Sequence, residues 1–201
     1  MNTAAHKQKD AVREHILATG QRIMAGRGYS AVGLNEILTE AGVPKGSFYH
    51  YFGSKDAFAV AMLESYFADY LSGLDHTLSQ PGVDMAQRLM NYWQQWQDTQ
   101  SFQDCQGKCL AVKLGAEVAD LSENMRLALE KGTSQIVGRL TEAVEAGAKE
   151  GSLRIAERPH RIAESLYQLW LGASVMVKIV RNKEPFTSAM LLTRQTLGLA
   201  A

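Results

Sequence analysis

The chain has 201 residues, 21 Lys plus Arg against 21 Asp plus Glu, and a hydrophobic share of 46%. That balance suits one packed domain or two small ones, and excludes a disordered tail, a collagen-like repeat and a low-complexity polymer. No stretch approaches the roughly 20 uncharged apolar residues of a membrane-spanning helix, residues 1–9 lack the apolar run of a secretory signal, and Cys105 and Cys109 are too few and too close for a disulfide framework, so the expected location is cytoplasmic.

The neutral total hides a small asymmetry. Residues 1–60 carry seven Lys or Arg against five Asp or Glu, and residues 61–201 carry fourteen against sixteen. This is compatible with a polyanion at the N-terminal end and decides nothing alone, because ordinary surfaces show shifts of this size.

Four prolines, Pro44, Pro81, Pro159 and Pro185, punctuate apolar residues that recur at three and four rather than two. The fold class is therefore all-α, with about nine helices. Val12, Ile16 and Ile23 predict a first helix over 9–27, ended by Gly28. A short helix over 34–40 stops at Gly42-Val43-Pro44, since proline biases its predecessor away from helix. A third runs over 44–51 with Pro44 in its first turn. Ser54 caps a long fourth helix to about 78, and Asp84 caps a fifth carrying Tyr92, Trp93 and Trp96. Leu110, Leu114 and Val118 mark a sixth, with Cys109 in its first turn. Met125, Leu129, Ile136, Leu140 and Val144 mark a seventh, ending near Gly147 or Gly151. The eighth follows Pro159 with Leu166, Trp170, Ala173 and Val177, and the ninth follows Pro185.

Residues 28–58, GYSAVGLNEILTEAGVPKGSFYHYFGSKDAF, carry the sharpest signal. Two short helices across a Gly-containing turn make a helix-turn-helix, whose second helix enters the DNA major groove. In KGSFYHYF the four-residue spacing turns Phe48 and Phe52 inward and leaves Lys45, Gly46, Ser47, Tyr49, His50 and Tyr51 to the outer face. Lys45 suits guanine or phosphate, Gly46 permits close backbone approach, and Ser47, Tyr49 and Tyr51 suit phosphate oxygens. Lys55, in the first turn of the next helix, is a further phosphate candidate beside that helix's free N–H groups. The bland alternative is a surface helix packed on a partner subunit.

These residues resemble the DNA-binding domain of the TetR family of transcriptional regulators. The family's pattern stands here as Gly28-Tyr29, Asn35 to Leu38, Ala41 to Val43, Pro44, Lys45-Gly46, Phe48 to Phe52 and Lys55. The sequence departs from it where a threonine usually precedes the second helix, having Val32 and Gly33, so that the Gly33 N–H would have to serve the phosphate. Asn35 stands where many members have arginine, and suits either adenine or phosphate. The resemblance implies a DNA-binding domain over residues 1–54 and a sensing and dimerisation domain over residues 55–201. It also implies a homodimer reading a near-palindromic double-stranded operator, with recognition helices about 34–36 Å apart. In the family the last two helices commonly form a four-helix bundle with the partner's, and Leu169, Trp170, Gly172, Ala173 and Val177 fit such a seam.

For sensing, Cys109 at the start of the sixth helix meets unpaired N–H groups that favour a thiolate, and Lys113 one turn on would lower its pKa further. The residues alone leave open a small buried thiol instead. GKCLAVKLGAEVADLSENMR, PKGSFYHYF and LWLGASVMVKI also resemble the repressors of N-ethylmaleimide reductase and related operons. Several of that branch answer reactive electrophiles or oxidants through a cysteine, here matched by Cys109, with Lys178 the matching late lysine. Cys105 is a second thiol or a bystander. Trp93, Trp96, Phe102, Tyr167 and Trp170 either fill the core or line a pocket for a non-covalent inducer, with Trp96 and Tyr167 the better pocket candidates.

Against an enzyme, His6, His15, His50, His76 and His160 show no metal-ligand spacing, and no phosphate-cradling glycine loop or nucleophile elbow occurs. No catalytic residue, metal or cofactor is expected. A helical adaptor that ignores DNA is the remaining alternative.

Overall fold

The computed structural model describes residues 3–100 and 109–200, and among them nine α-helices: α1 (Thr3–Arg27), α2 (Leu34–Ala41), α3 (Lys45–Phe52), α4 (Lys55–Leu78), α5 (Met85–Thr99), α6 (Leu110–Leu121), α7 (Glu123–Glu150), α8 (Pro159–Val180) and α9 (Glu184–Thr196). Cys105 and Phe102 lie outside the described residues. No helix among the described residues is long and apolar enough to cross a membrane.

Side-chain caps set the starts of α4, α5 and α7. Ser54 Oγ accepts the Ala57 N–H at 3.0 Å, and Asp84 Oδ1 accepts that of Gln87 at 2.8 Å. Ser122 closes α6 and opens α7, where its hydroxyl accepts the Met125 N–H at 3.3 Å. Three expectations shift. α1 begins at Thr3 rather than at residue 9, because good helix formers extend it ahead of the first apolar repeat. Pro44 is the N-cap of α3, with ψ at 147°, rather than its first helical residue, so α3 runs one residue later at each end. Cys109 is the N-cap of α6, one position before its first turn.

α1, α2 and α3 enclose a small core of Ile16, Met24, Val32, Ile37 and Phe48. The start of α4 completes it: Phe58 packs its ring on Phe48 at 5.4 Å and on Phe52 at 5.0 Å. Further along, α4 packs on α5 and α7, so one rigid rod belongs to both halves of the molecule. The second core is aromatic. Trp93 of α5 stacks on Trp170 of α8 at 5.1 Å, and Trp170 stacks on Phe186 of α9 at 5.6 Å. Trp170, Ala173 and Val177 are thereby committed to the chain's own interior, not to an outward seam. α6 lies against α1, α7 and α8 and so touches both halves.

Candidate nucleic-acid interface and sensing site

α3 gathers the expected reading residues, but less evenly than its sequence suggests. Lys45, Gly46 and His50 are exposed, and Tyr49 is 48% exposed with its ring edge-on to Phe48. Ser47 is half-buried, and Tyr51 lies half-buried against the core. The reason is angular: with Phe48 and Phe52 inward, an eight-residue helix turns Gly46 and His50 directly outward and leaves Tyr51 on the flank. At the start of α2, Gly33 is an exposed N-cap with φ −79° and no side-chain cap, and Asn35 is exposed.

Lys55 is held elsewhere. Its ammonium donates to the Tyr29 carbonyl at 3.1 Å and lies 4.2 Å from the centre of the Tyr29 ring. Burial lowers its pKa, against the field of Glu117. It therefore braces the turn after α1 instead of standing free beside the α4 N-terminus.

Cys109 is 3% exposed. Burial pushes its thiol above the ordinary value, opposed by the N–H groups of Val112 and Ala111, the Tyr66 hydroxyl and the charge of Lys178. The expected lowering is thus reversed in net direction: the helix terminus acts as anticipated, but desolvation outweighs it. The lysine roles also differ. Lys178 on α8 is the cation acting on the thiol, whereas the charge of Lys113 acts on Glu117.

A cleft of about 860 Å³ opens beside the thiol, lined by Ala18, Gln21 and Arg22 of α1, Tyr66 and Tyr70 of α4, and Gln100 among others. Trp96 and Tyr167 do not line it. Both are buried, with rings 5.8 Å apart, and the Trp96 indole donates to Ser174 Oγ at 2.9 Å. Trp96 does border a smaller neighbouring cavity of about 480 Å³, with Tyr70, Tyr92 and Gln100. Among the described residues, the buried side-chain atoms Gln100 Oε1, Tyr167 Oη and Trp93 Nε1 have no hydrogen-bond partner.

The last turns of α8 and the middle of α9 expose apolar side chains, while the outer face of the first half of α8 is polar, with Arg161, Glu164 and Gln168 exposed. Val175, Met176, Ile179 and Val180 of α8 and Leu191 and Leu192 of α9 are all exposed, Ile179 by 66%. The seam residues expected from sequence divide accordingly: Gly172 is exposed and Leu169 half-buried, while the other three face inward. An exposed apolar face of this kind marks an association surface.

Sequence reasoning passed over Glu117, Tyr66 and Gln100. Glu117 accepts the N–H groups of Tyr29 at 3.0 Å and Ser30 at 2.7 Å, a contact across 88 residues that no local pattern encodes.

Residues 16–62 match the family described as bacterial regulatory proteins, tetR family, and residues 86–192 match the Tetracyclin repressor-like C-terminal domain. The chain belongs to the TetR family.

Among TetR-type relatives, it is 42% identical over 200 residues to the HTH-type transcriptional repressor NemR of Escherichia coli (strain K12), covering 98% of each chain. It is 33% identical over 186 residues to the repressor DhaR of Mycobacterium sp. (strain GP1), covering 92% of each. The crystal structure of Escherichia coli NemR in its reduced form superposes with a TM-score of 0.89, over 95% of this chain and 99% of that one. These relatives are DNA-binding transcriptional regulators, not enzymes, and among the described residues no group of side chains could hold a metal ion.

Proposed function

We propose that this TetR-family protein is a cytoplasmic repressor. It binds a near-palindromic operator as a homodimer and leaves it when an electrophile or oxidant modifies Cys109. Residues 1–54 read DNA through Gly33, Asn35, Lys45, Gly46, Ser47, Tyr49 and His50, and residues 55–201 sense and dimerise.

The observation carrying the sensing half is the location of Cys109: an N-cap thiol, tempered by Tyr66 and Lys178, at the edge of a cleft whose other wall is α1 of the DNA-reading half. An adduct on that sulfur adds volume where the two halves meet, and packed interiors answer added volume by displacing a helix. The likeness to NemR, whose solved structure is of a reduced form, points the same way. The test is release of the upstream DNA of its own gene by N-ethylmaleimide. Wild type releases it; Cys109→Ser binds normally and stays bound.

A second reading is favoured by the partnerless Gln100 Oε1 on the cleft: a non-covalent inducer carrying a hydrogen-bond donor. Under that reading Cys109→Ser is released as readily as wild type by the inducer.

A further inference from the structure

α6 carries two features on one rigid element. Its N-cap is Cys109, and Glu117 lies eight residues on, roughly 12 Å along the axis at the α-helical rise. The Glu117 carboxylate spans two successive amides of the turn after α1, with Oε2 on the Tyr29 N–H at 3.0 Å and Oε1 on that of Ser30 at 2.7 Å. Gly28 permits this approach. It has φ +91°, and a Cβ there would meet Glu117 Oε2 at 3.0 Å. The carbonyl of the same Tyr29 accepts from Lys55 at 3.1 Å. One residue of the turn is therefore gripped by an anion from α6 on its N–H and by a cation from α4 on its C=O. From that turn the chain enters α2, with Val32 buried as the next anchor.

We propose that Glu117 is the positioning residue that holds the α1–α2 turn, and with it α2 and α3, in the operator-binding setting, and that a shift of α6 reaches the reading helices through it. The transmission half rests on the Cys109 reading; the positioning half does not. A carboxylate suits the role because it accepts both N–H groups at once. Glutamine of the same size offers one acceptor oxygen and presents an NH₂ to the second donor.

The experiment compares wild type, Glu117→Gln and Cys109→Ser, each untreated and treated with N-ethylmaleimide, by operator titration and by hydrogen exchange at the Tyr29 and Ser30 amides. In untreated Glu117→Gln, operator affinity falls roughly fivefold and both amides lose protection. The ratio of untreated to treated affinity shrinks toward one, because the joint is already open. A residue that only adds stability lowers both affinities alike and leaves the ratio at the wild-type value, which overturns the proposal. So does untreated affinity within twofold of wild type. If Glu117→Gln melts early, Lys55→Met removes the opposite grip on Tyr29 and is expected to lower affinity in the same direction; no loss there also overturns it. If Cys109→Ser is released like wild type, the thiol reading fails instead, and the untreated titration and amide exchange still decide the role of Glu117.

Discussion

The Trp96 indole N–H donates to the Ser174 hydroxyl at 2.9 Å inside the second core, and that hydroxyl in turn donates to the Trp170 carbonyl at 2.8 Å. Ser174 is fully buried, so no water replaces it. Ser174→Ala strands the indole donor at a cost of about 1–3 kcal/mol. For a chain this long that lowers Tm by about 2–4 °C per kcal/mol, measurable by calorimetry. An unchanged Tm would mean that the bond contributes nothing.

Lys45 and Lys55 are expected to separate in a salt titration of operator binding. Lys45 is exposed on α3, so Lys45→Ala removes a phosphate contact per subunit and flattens the slope of log affinity against log salt by about 0.9 for each. Lys55 spends its ammonium on Tyr29, so Lys55→Ala weakens binding at every salt concentration with the slope retained. A flattened slope for Lys55→Ala returns that lysine to the DNA backbone.

Alkylation of Cys109 is expected to be slow at neutral pH and to accelerate as pH rises. Burial raises the thiol pKa, and only the thiolate attacks, so the rate climbs about tenfold per pH unit until the pKa is passed. The linkage to folding has the matching sign. Stability from the protonated buried thiol is complete below the unfolded pKa and is lost as pH rises through the folded one. Lys178→Met removes a stabilising charge and slows alkylation by roughly two- to tenfold. A flat rate between pH 7 and 9 contradicts this picture.

Ile179, the most exposed large apolar side chain of α8, is expected to sit near the centre of the contact between subunits. Ile179→Asp buries a lone carboxylate in that contact, which costs several kcal/mol in an apolar setting. Analytical ultracentrifugation then finds monomer, with operator affinity lost alongside. A variant that stays dimeric moves the interface off this face.

Much of the reading head was legible because its determinants are local. Gly42-Val43-Pro44 forces the turn, Ser54 caps α4, and the spacing of Phe48 and Phe52 turns Gly46 and His50 outward. Tyr51 is half-buried rather than on the outer face, because an eight-residue helix has a flank as well as two faces, and periodicity does not say where a flank packs. The aromatic stripes of α5 and α8 were equally visible. Their partners were not, since the Trp93–Trp170 stack joins positions 77 apart.

The sequence by itself determined the helices, their punctuation and the DNA-reading family, since backbone geometry, capping and hydrophobic period act within a few residues. Only the tertiary structure decided the charge chemistry. Whether Cys109 is raised or lowered depends on how deeply its neighbours desolvate it, and which lysine faces it depends on how α8 crosses α6. The same holds for Glu117, whose partners on the turn after α1 come within reach only once the two halves pack.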